Sequence, residues 1–278
     1  MNTARRSATV GGVIDAEILE FYRRGLEGDR LTAGTGLLEF LRTVDVLERV
    51  LPAAPADVLD VGGATGRYAA VLAAAGHRVH VVDPVPEHVA AAAARPGVTA
   101  AVGDARDLPA ATGSYDAVLL LGPLYHLTAR ADRVRAWREA ARALRPSGVA
   151  AGATISRFAP LLDGFAKGYH ADPRFRDIVD AGLGSGVHRG PADEPRYFTT
   201  AYLHHPDEPA AEPVEAGLRA PRVVAVEGPL WLLGGRLDEI LADPGRRATA
   251  LDLLRRVEDE PSLLGASSHH LTVARAAT

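Results

Sequence analysis

The chain has 278 residues, of which 47% are hydrophobic and 24% are charged, with a formal net charge of −4 and no cysteine. This length and composition are typical of one large globular domain, or of one domain with an insertion, and exclude disordered or fibrous chains. The missing cysteines exclude thiol nucleophiles, disulfide scaffolds and Cys-bound metals. The slight acidic excess offers no overall attraction to nucleic acid or to a membrane surface.

The N-terminal residues do not predict export. The Arg5–Arg6 pair would fit a twin-arginine signal, but Asp15, Glu17 and Glu20 interrupt the apolar stretch that should follow it. The longest apolar stretch, residues 118–124, is far shorter than a membrane-spanning helix. We therefore expect a cytoplasmic protein that has no membrane partner.

Helices and strands alternate over residues 37–155. Apolar residues at helical spacing predict a helix over 37–50, which Pro52 ends. The strands predicted next are 57–61, 77–83, 98–102, 115–121 and 149–155, and the helices between them are an alanine-rich segment ending at Gly76, 86–94 and 129–144. This alternation predicts a doubly wound, Rossmann-like α/β sheet, in which the most apolar strand, 115–121, is central.

The regular alternation ends after residue 155. Residues 156–205 are rich in Gly, Pro, Asp and Arg and have no long periodic run, so we interpret them as an inserted lid over the carboxyl edge of the sheet. Helices are predicted again near 207–217 and 246–258, and strands at 222–226 and 269–274. The predicted organisation is an N-terminal helical cover (1–50), a ligand-binding core (51–155), the lid (156–205) and a C-terminal part of the core sheet (206–278).

The first strand runs into a glycine-rich turn. The stretch 58–67 reads Val-Leu-Asp-Val-Gly-Gly-Ala-Thr-Gly-Arg, and its glycines are Gly62, Gly63 and Gly66. Glycines here allow a tight turn and let a ligand lie against bare backbone at a helix N-terminus. A dinucleotide fold would prefer Gly-x-Gly-x-x-Gly. Asp60, just before the turn, disfavours a pyrophosphate and suits a ligand with a cationic amino-acid end; an unoccupied turn of another α/β fold is the alternative.

Two later segments can meet the same ligand. Asp83 ends the second strand, 23 positions after Asp60, where a carboxylate can accept both ribose hydroxyls of an adenine cofactor. Alternatively, Asp83 caps the helix that starts after Pro84. The third strand is followed by Gly103-Asp-Ala-Arg-Asp-Leu-Pro109, which could otherwise be an Asp-rich surface turn.

In this order and spacing, these segments resemble the class I S-adenosylmethionine-dependent methyltransferases over residues 55–155, with Ala64 in place of the usual central glycine. The resemblance implies a seven-stranded, mostly parallel sheet with an antiparallel last strand, and S-adenosylmethionine as the cofactor, converted to S-adenosylhomocysteine. It implies that Asp104 accepts from the adenine amine, that the Ala105 amide meets the ring, and that Leu121 ends the fourth strand beside the methyl group. The implied cofactor residues are Asp60, Gly62, Gly63, Ala64, Gly66, Asp83, Pro84, Asp104, Ala105 and Leu121.

The N-terminal cover supplies further candidates by the same resemblance. In related enzymes an aromatic residue of this segment closes over the cofactor, and an arginine pairs with the cofactor carboxylate. Tyr22, Arg30 and Arg42 are the residues of these types, and Tyr22 and Arg42 are the predicted cofactor ligands. Because Arg42 falls on the polar side of its helix, a solvated surface arginine is the competing interpretation.

Gly122-Pro-Leu-Tyr-His126 follows the fourth strand and resembles the Gly-Pro-Leu-Tyr-His-Leu pattern of a subset of small-molecule methyltransferases. It lacks the Asn/Asp-Pro-Pro-Tyr motif of enzymes that methylate exocyclic amines, which disfavours a nucleic-acid acceptor. His126 is the first candidate for a general base or substrate ligand, with a packed loop histidine as the alternative. Tyr125 is expected to form a wall of the acceptor pocket.

The lid offers weaker candidates. His188 could reach the acceptor as a second catalytic residue, or it is an ordinary lid residue. Arg157 and Arg189 are the predicted substrate contacts of this region. No metal site is predicted, because the pairs 204–205 and 269–270 are adjacent histidines, which point to opposite faces of a strand.

The sequence therefore predicts an enzyme that moves the methyl group of S-adenosylmethionine to an O, N or C nucleophile of a small molecule, which could be a specialised metabolite. Its expected partner is that small-molecule acceptor, and the oligomeric state is left open. A protein or tRNA methyltransferase is the first alternative. A nucleotide-binding oxidoreductase or a non-catalytic nucleotide-binding module is the second.

Overall fold

A computed structural model describes residues 16–23 and 30–278, without the side chains of residues 16, 19, 22 and 23. The helices in these ranges are α1 (Ala16–Arg23), α2 (Gly34–Val50), α3 (Arg67–Ala74), α4 (Pro86–Ala93), α5 (Arg130–Ala143), α6 (Ala159–Ala166), α7 (Pro173–Ser185), α8 (Ala211–Glu215), α9 (Gly235–Ala242), α10 (Pro244–Arg255) and α11 (Pro261–Leu264). The strands are β1 (Asp57–Val61), β2 (Arg78–Asp83), β3 (Val98–Val102), β4 (Tyr115–Leu120), β5 (Leu144–Ser156), β6 (Val187–His188), β7 (Ala201–His204), β8 (Arg219–Ala225) and β9 (His269–Arg275).

Seven of these strands form the predicted doubly wound sheet. Strands β3, β2, β1, β4 and β5 are parallel neighbours in that order. Strand β9 pairs antiparallel with β5, and β8 pairs antiparallel with β9. The chain winds outward in opposite directions from β1 and β4, so a crevice opens between their carboxyl ends, where ligands bind in such folds. The α/β fold class is confirmed.

Both faces of strand β4 are buried, because it lies in the middle of the sheet between β1 and β5. Ala117, Val118, Leu119 and Leu120 have no exposed surface. Ala117 and Leu119 pack into the apolar cluster on one face of the sheet, and Val118 and Leu120 pack into the cluster on the other. This two-sided burial explains why the sequence of β4 is continuously apolar rather than alternating.

The insertion after β5 is more regular than its sequence indicates. It contains α6, α7 and a small hairpin of β6 and β7, and β7 extends the sheet by pairing with the last two residues of β5. Helix α7 begins at Pro173 after the cap residue Asp172, whose side chain accepts from the Arg174 amide, and it ends at the left-handed Gly186. Glycines within α7 weaken its periodic pattern, so the prediction of an irregular segment is wrong over these residues.

Helix α2 is fastened to the C-terminal part of the chain. Leu38 of α2 packs with Leu237 and Leu241 of α9. Beside them, the fully buried Arg42 donates to Glu258 at 2.7 Å and to the carbonyl of Val226 at 3.0 Å. These contacts hold α2 over the sheet.

Glu258 is the centre of this ion-pair network. Its carboxylate accepts from Arg42 and Arg49, each at 2.7 Å, and from Arg222 at 2.9 Å. Burial alone would raise the pKa of Glu258, but Arg49 and Arg42 outweigh it and lower that pKa to about 2.

Among the helices of the described ranges, none combines the length and the apolar character that a membrane-spanning helix needs.

We expect Glu258→Gln to lower the free energy of unfolding by about 3–5 kcal/mol at pH 7, because it removes the central carboxylate of the network and leaves the buried guanidinium of Arg42 with Asp45 as its remaining counter-charge. Asp259→Asn is the matched control. Asp259 is an exposed neighbour that pairs with Arg222, and its loss should cost roughly 0–1 kcal/mol.

Urea denaturation of both variants measures these differences. Since the folded-state pKa of Glu258 is depressed, its stabilisation is complete above pH 4.5, and is lost as the pH falls toward about 2. The gap between wild type and Glu258→Gln should therefore narrow over that range. Equal losses in the two variants, or a gap independent of pH, would contradict the role of Glu258.

Candidate active site

The turn after β1 brings bare backbone to the crevice between β1 and β4. Gly62 has a φ of +69° and Gly66 a φ of +72°, both in the left-handed region that glycine adopts readily. A Cβ at Gly62 would lie 2.8 Å from Cδ of Pro123, which follows β4. Ala64 has a φ of +46°, so the residue replacing the usual glycine holds a left-handed conformation despite its Cβ.

Asp60 lies directly behind this turn. Its side chain is fully buried, and neither carboxylate oxygen has a hydrogen-bond partner among the described residues. A Cβ at Gly63 would come within 2.6 Å of Oδ2 of Asp60, so only glycine fits between the carboxylate and the crevice. Burial, reinforced by the charge of Asp83, raises the pKa of Asp60 to about 7. Asp60 does not line the cavity, because Gly63 lies between its carboxylate and the crevice, so its contact with a cofactor stays a prediction.

Asp83 connects β2 to the glycine turn. Its carboxylate accepts from the Ala64 amide at 2.9 Å and from the Val85 amide at 3.0 Å, and lies 3.1 Å from Nδ1 of His88. The N-cap residue of α4 is Val85, so Asp83 orders the turn before the helix rather than capping it. Each carboxylate oxygen offers two lone pairs, which leaves Asp83 further capacity to accept from a ligand hydroxyl.

Asp104 follows β3 on the same edge of the sheet. Its carboxylate accepts from the Arg106 amide at 2.8 Å and from the Arg106 guanidinium at 2.9 and 2.6 Å, which fixes its orientation. Ala105, the next residue, is buried. Both line the cavity beside the turn.

These elements enclose a cavity of about 170 Å³, here called the glycine-turn cleft. The predicted residues that line it are Gly62, Gly63, Ala64, Asp83, Pro84, Asp104, Ala105, Leu121, Tyr125 and His126. Gly66 is outside the lining, and its missing Cβ lets α3 approach Ala92 of α4. Sequence reasoning missed several cleft residues, namely Glu39, Arg67, Tyr68 and His88.

The two arginines of the N-terminal cover lie in different surroundings. Arg42 is buried among Asp45, Glu258 and the Val226 carbonyl and lines neither cavity, so its assignment as a cofactor ligand is corrected. Arg30 instead lines the cleft and pairs with Glu39 through both of its terminal nitrogens. Tyr22 remains untested, because its side chain lies outside the described residues.

His126 lies in the cleft wall at the end of β4. Its Nδ1 is 3.3 Å from the carbonyl of Thr200, a contact that requires a proton on Nδ1 and makes Nε2 the acceptor nitrogen of the neutral ring. Burial lowers the pKa of His126 to about 4, partly opposed by the Thr200 carbonyl. At neutral pH His126 is therefore an uncharged hydrogen-bond acceptor and only a weak base.

A larger cavity of about 810 Å³ adjoins the cleft and is here called the insertion cavity. The two cavities share Arg30, Glu39 and Tyr125 in their walls. The insertion cavity is lined by aromatic side chains from α1, the loop after β4, the insertion and the C-terminal segment, namely Phe21, Tyr125, Tyr169, Phe175, Tyr197, Phe198 and Trp231. Its size is that of a small-molecule site.

The three lid candidates fall in different places. His188 is buried in the insertion cavity wall, with Nε2 2.6 Å from the Tyr197 carbonyl. Arg157 lines neither cavity, because it donates to the Leu203 carbonyl at 3.2 Å and to Glu208 at 3.0 Å. Arg189 is exposed and also lines neither cavity. Arg157 and Arg189 thus lie outside both cavities, and their contact with a substrate stays a prediction.

One cluster at the junction of the cavities left no signal in the sequence. Ligand atoms of Glu39, Glu227 and His269 lie within 4.8 Å of one another. They come from α2, the turn after β8 and the start of β9, so no local spacing connects them. This charged cluster therefore became visible only in the fold.

Residues 58–148 match the family model described as a methyltransferase domain. An uncharacterized methyltransferase of Mycobacterium bovis is 39% identical over 105 residues, which are 37% of this chain and 42% of that protein. A ubiquinone/menaquinone biosynthesis C-methyltransferase of Rubrivivax gelatinosus is 40% identical over 99 residues, 35% of this chain and 38% of that protein. The chain thus spans about two-fifths of the length of these relatives.

A solved structure extends the likeness to the whole fold. An S-adenosylmethionine-dependent methyltransferase of Thermotoga maritima has a TM-score of 0.56 at 17% identity, covering 93% of this chain and 99% of that one. At this identity the likeness concerns the fold alone. Residues 58–148 therefore carry a methyltransferase domain, and the chain has the fold of an S-adenosylmethionine-dependent methyltransferase.

Proposed function

We propose that this protein transfers the methyl group of S-adenosylmethionine to an oxygen, nitrogen or carbon nucleophile of a small molecule. The observation that carries the proposal is the carboxylate of Asp60, buried without a partner behind a glycine that no other residue could replace. Such a carboxylate is costly for the protein alone and is compensated when a positive charge comes near.

The charge of the cleft supports S-adenosylmethionine over a dinucleotide. Asp60 and Asp83 place two carboxylates around one turn, and they would repel a pyrophosphate. The ammonium and sulfonium groups of S-adenosylmethionine are attracted by the same charges. When bound, this cofactor supplies an electrophilic methyl group attached to a positively charged sulfur.

We assign the cofactor contacts along the cleft from one end to the other. Asp104 and Ala105 would hold the adenine, Asp83 the ribose hydroxyls, and the turn of Gly62 to Ala64 the amino-acid end. Arg30 would pair with the cofactor carboxylate in place of Arg42. Each assignment follows from the lining of the cleft and from the chemistry of the side chain.

The insertion cavity supports a small-molecule acceptor. Its aromatic walls and its volume of about 810 Å³ fit an organic molecule, and it meets the cleft at Tyr125. Tyr125 and Leu121 would orient the nucleophile and exclude water, and such positioning can supply about 7–11 kcal/mol of the barrier. His126 would accept a hydrogen bond from the nucleophile through Nε2, and His188 is a second candidate within the same cavity.

The direct test of this function is a labelling experiment. Purified protein with methyl-labelled S-adenosylmethionine should label the small-molecule fraction of a bacterial extract, since the cavity is sized for such acceptors. The protein and tRNA fractions of the same extract serve as controls. Label found only in protein or tRNA would contradict the small-molecule acceptor, and no label in any fraction would contradict methyl transfer.

We expect Asp60→Asn to stabilise the free protein at pH 8 and to weaken S-adenosylhomocysteine binding about tenfold or more. The gain in the free energy of unfolding should be roughly 1–3 kcal/mol, because a buried unpaired charge is removed. Since the folded-state pKa of Asp60 is raised from 3.8 to about 7, wild type loses stability as the pH rises through that range. The gain should therefore vanish at low pH, where Asp60 is protonated in both states.

Denaturation at pH 3.5 and pH 8, together with calorimetry of S-adenosylhomocysteine, measures these effects. Asp107→Asn removes an exposed carboxylate of the neighbouring segment and should change neither quantity. Unchanged ligand affinity in Asp60→Asn would refute the electrostatic role of Asp60.

His126→Ala should lower kcat with the acceptor found by labelling about tenfold or more, and should leave S-adenosylhomocysteine affinity within about twofold. The reason is that His126 borders the reacting end of the cleft rather than the adenine or ribose. His205→Ala, which removes an exposed histidine, is the control. A kcat equal to that of the control would make His126 a packing residue only.

A further inference from the structure

His269 lines the insertion cavity, and its Nε2 atom makes no hydrogen bond within the described residues. Its Nδ1 lies 2.6 Å from Oε1 of Glu227, and its side chain is 18% exposed in the cavity wall. No hydrogen bond to Nε2 forms within residues 16–23 and 30–278. One edge of the ring is therefore held by the protein, and the other is left for a ligand.

The carboxylate of Glu227 is held in place from several sides. Its Oε2 accepts from the Ser267 hydroxyl at 2.9 Å and from the His269 amide at 2.9 Å, while Oε1 meets the ring of His269. Glu227 is itself buried. This arrangement fixes the direction of the His269 ring, as an orienting carboxylate does for catalytic histidines.

The neighbouring carboxylate is also paired. Both oxygens of Glu39 accept from the guanidinium of Arg30, and Oε2 of Glu39 lies 3.8 Å from Nδ1 of His269. The spacing of Glu39, Glu227 and His269 could suit a divalent cation. However, the oxygens of Glu39 and Glu227 already accept hydrogen bonds, and Nδ1 of His269 carries the proton that it shares with Glu227. The bonding pattern therefore favours an organic ligand at Nε2 over a metal within the cluster.

The charge on His269 follows from the groups around it. Burial would lower the pKa of His269, but Glu39 and Glu227 outweigh it and raise that pKa to about 9, with Arg30 opposing them. His270, the next residue of β9, has a pKa lowered to about 4 by burial and is uncharged at neutral pH. At neutral pH His269 is thus an imidazolium in the wall of the insertion cavity, and its Nε2–H has no acceptor among the described residues.

Other cations of the insertion cavity have carboxylate partners. Lys167 lies 2.9 Å from Asp163, and Arg196 lies 3.1 Å from Glu194. Asp238, a further acidic residue of the lining, accepts from the Gly34 amide at 2.9 Å. The Nε2–H group of His269, by contrast, has no acceptor among the described residues.

We propose that the methyl acceptor carries an anionic oxygen, such as a carboxylate, that binds Nε2 of His269 while its aromatic or apolar body lies between the aromatic walls of the insertion cavity. This substrate class rests on the proposed methyl transfer. His269 is a specificity-determining residue in this account, because a charge-assisted hydrogen bond at Nε2 discriminates an acid from its neutral analogue.

Two probes of nearly the same shape test the proposal. Cinnamate and cinnamamide differ in carrying a carboxylate or an uncharged amide. Calorimetry at pH 7 with saturating S-adenosylhomocysteine should show cinnamate binding about tenfold or more tightly than cinnamamide. Cinnamate affinity should fall as the pH rises through about 9, where His269 loses its charge, and cinnamamide affinity should not.

His269→Gln should abolish the preference for cinnamate, whereas Lys167→Gln, which removes a cation already paired with Asp163, should retain it. If His269→Gln fails to fold, Glu227→Gln provides the second test, because it lowers the pKa of His269 and should shift the loss of cinnamate binding to lower pH. Failure of cinnamate to bind, equal affinity for the two probes, or a preference retained in His269→Gln would overturn the proposal. Failure of methyl transfer itself is seen separately, as absent label and absent S-adenosylhomocysteine binding in wild type.

Discussion

Asp60 places a carboxylate inside the protein at the carboxyl end of a central strand, where neither of its oxygens finds a hydrogen bond within the described residues. The surrounding structure keeps it there: Gly63 leaves no side chain between this carboxylate and the crevice, and Asp83 adds a second negative charge. A protein selected for stability alone would replace such a group. The free-energy cost of burying Asp60 is explained if the cleft binds a cation. The cofactor contacts proposed along the cleft depend on this interpretation.

The rest of the fold serves to close the space around this charge. Strand order reverses between β1 and β4, which opens the crevice at their carboxyl ends. The pairing of Arg42 with Glu258 holds α2 against the C-terminal part of the chain. This places Glu39 of α2, and Arg30 just before it, in the wall of the cleft. The insertion adds aromatic walls to a second cavity that meets the first at Tyr125. The two cavities are thus formed largely by different parts of the chain and share Arg30, Glu39 and Tyr125.

The sheet and the cleft could be predicted from sequence because their signals are local. Strand β1 matches its prediction at both ends, and the turn after it has the spacing of the family motif. Arg42 was assigned wrongly because its partner Glu258 lies 216 positions away, and helical periodicity contains no information about such a contact. For the same reason the cluster at His269 could not be predicted, because its carboxylates come from distant elements. The adjacent pair His269 and His270 indicates only that the two side chains point to opposite faces of a strand.

The most direct measurement of the central claim is the number of protons released when S-adenosylhomocysteine binds. At pH 6, below the pKa of about 7, Asp60 is mostly protonated in the free protein. A cationic amino group held near it should ionise it, because a nearby positive charge lowers the pKa of a carboxyl. Calorimetry in buffers of different ionisation enthalpy should give close to one proton released per ligand in wild type and almost none in Asp60→Asn. Equal proton release in the two proteins would contradict the account.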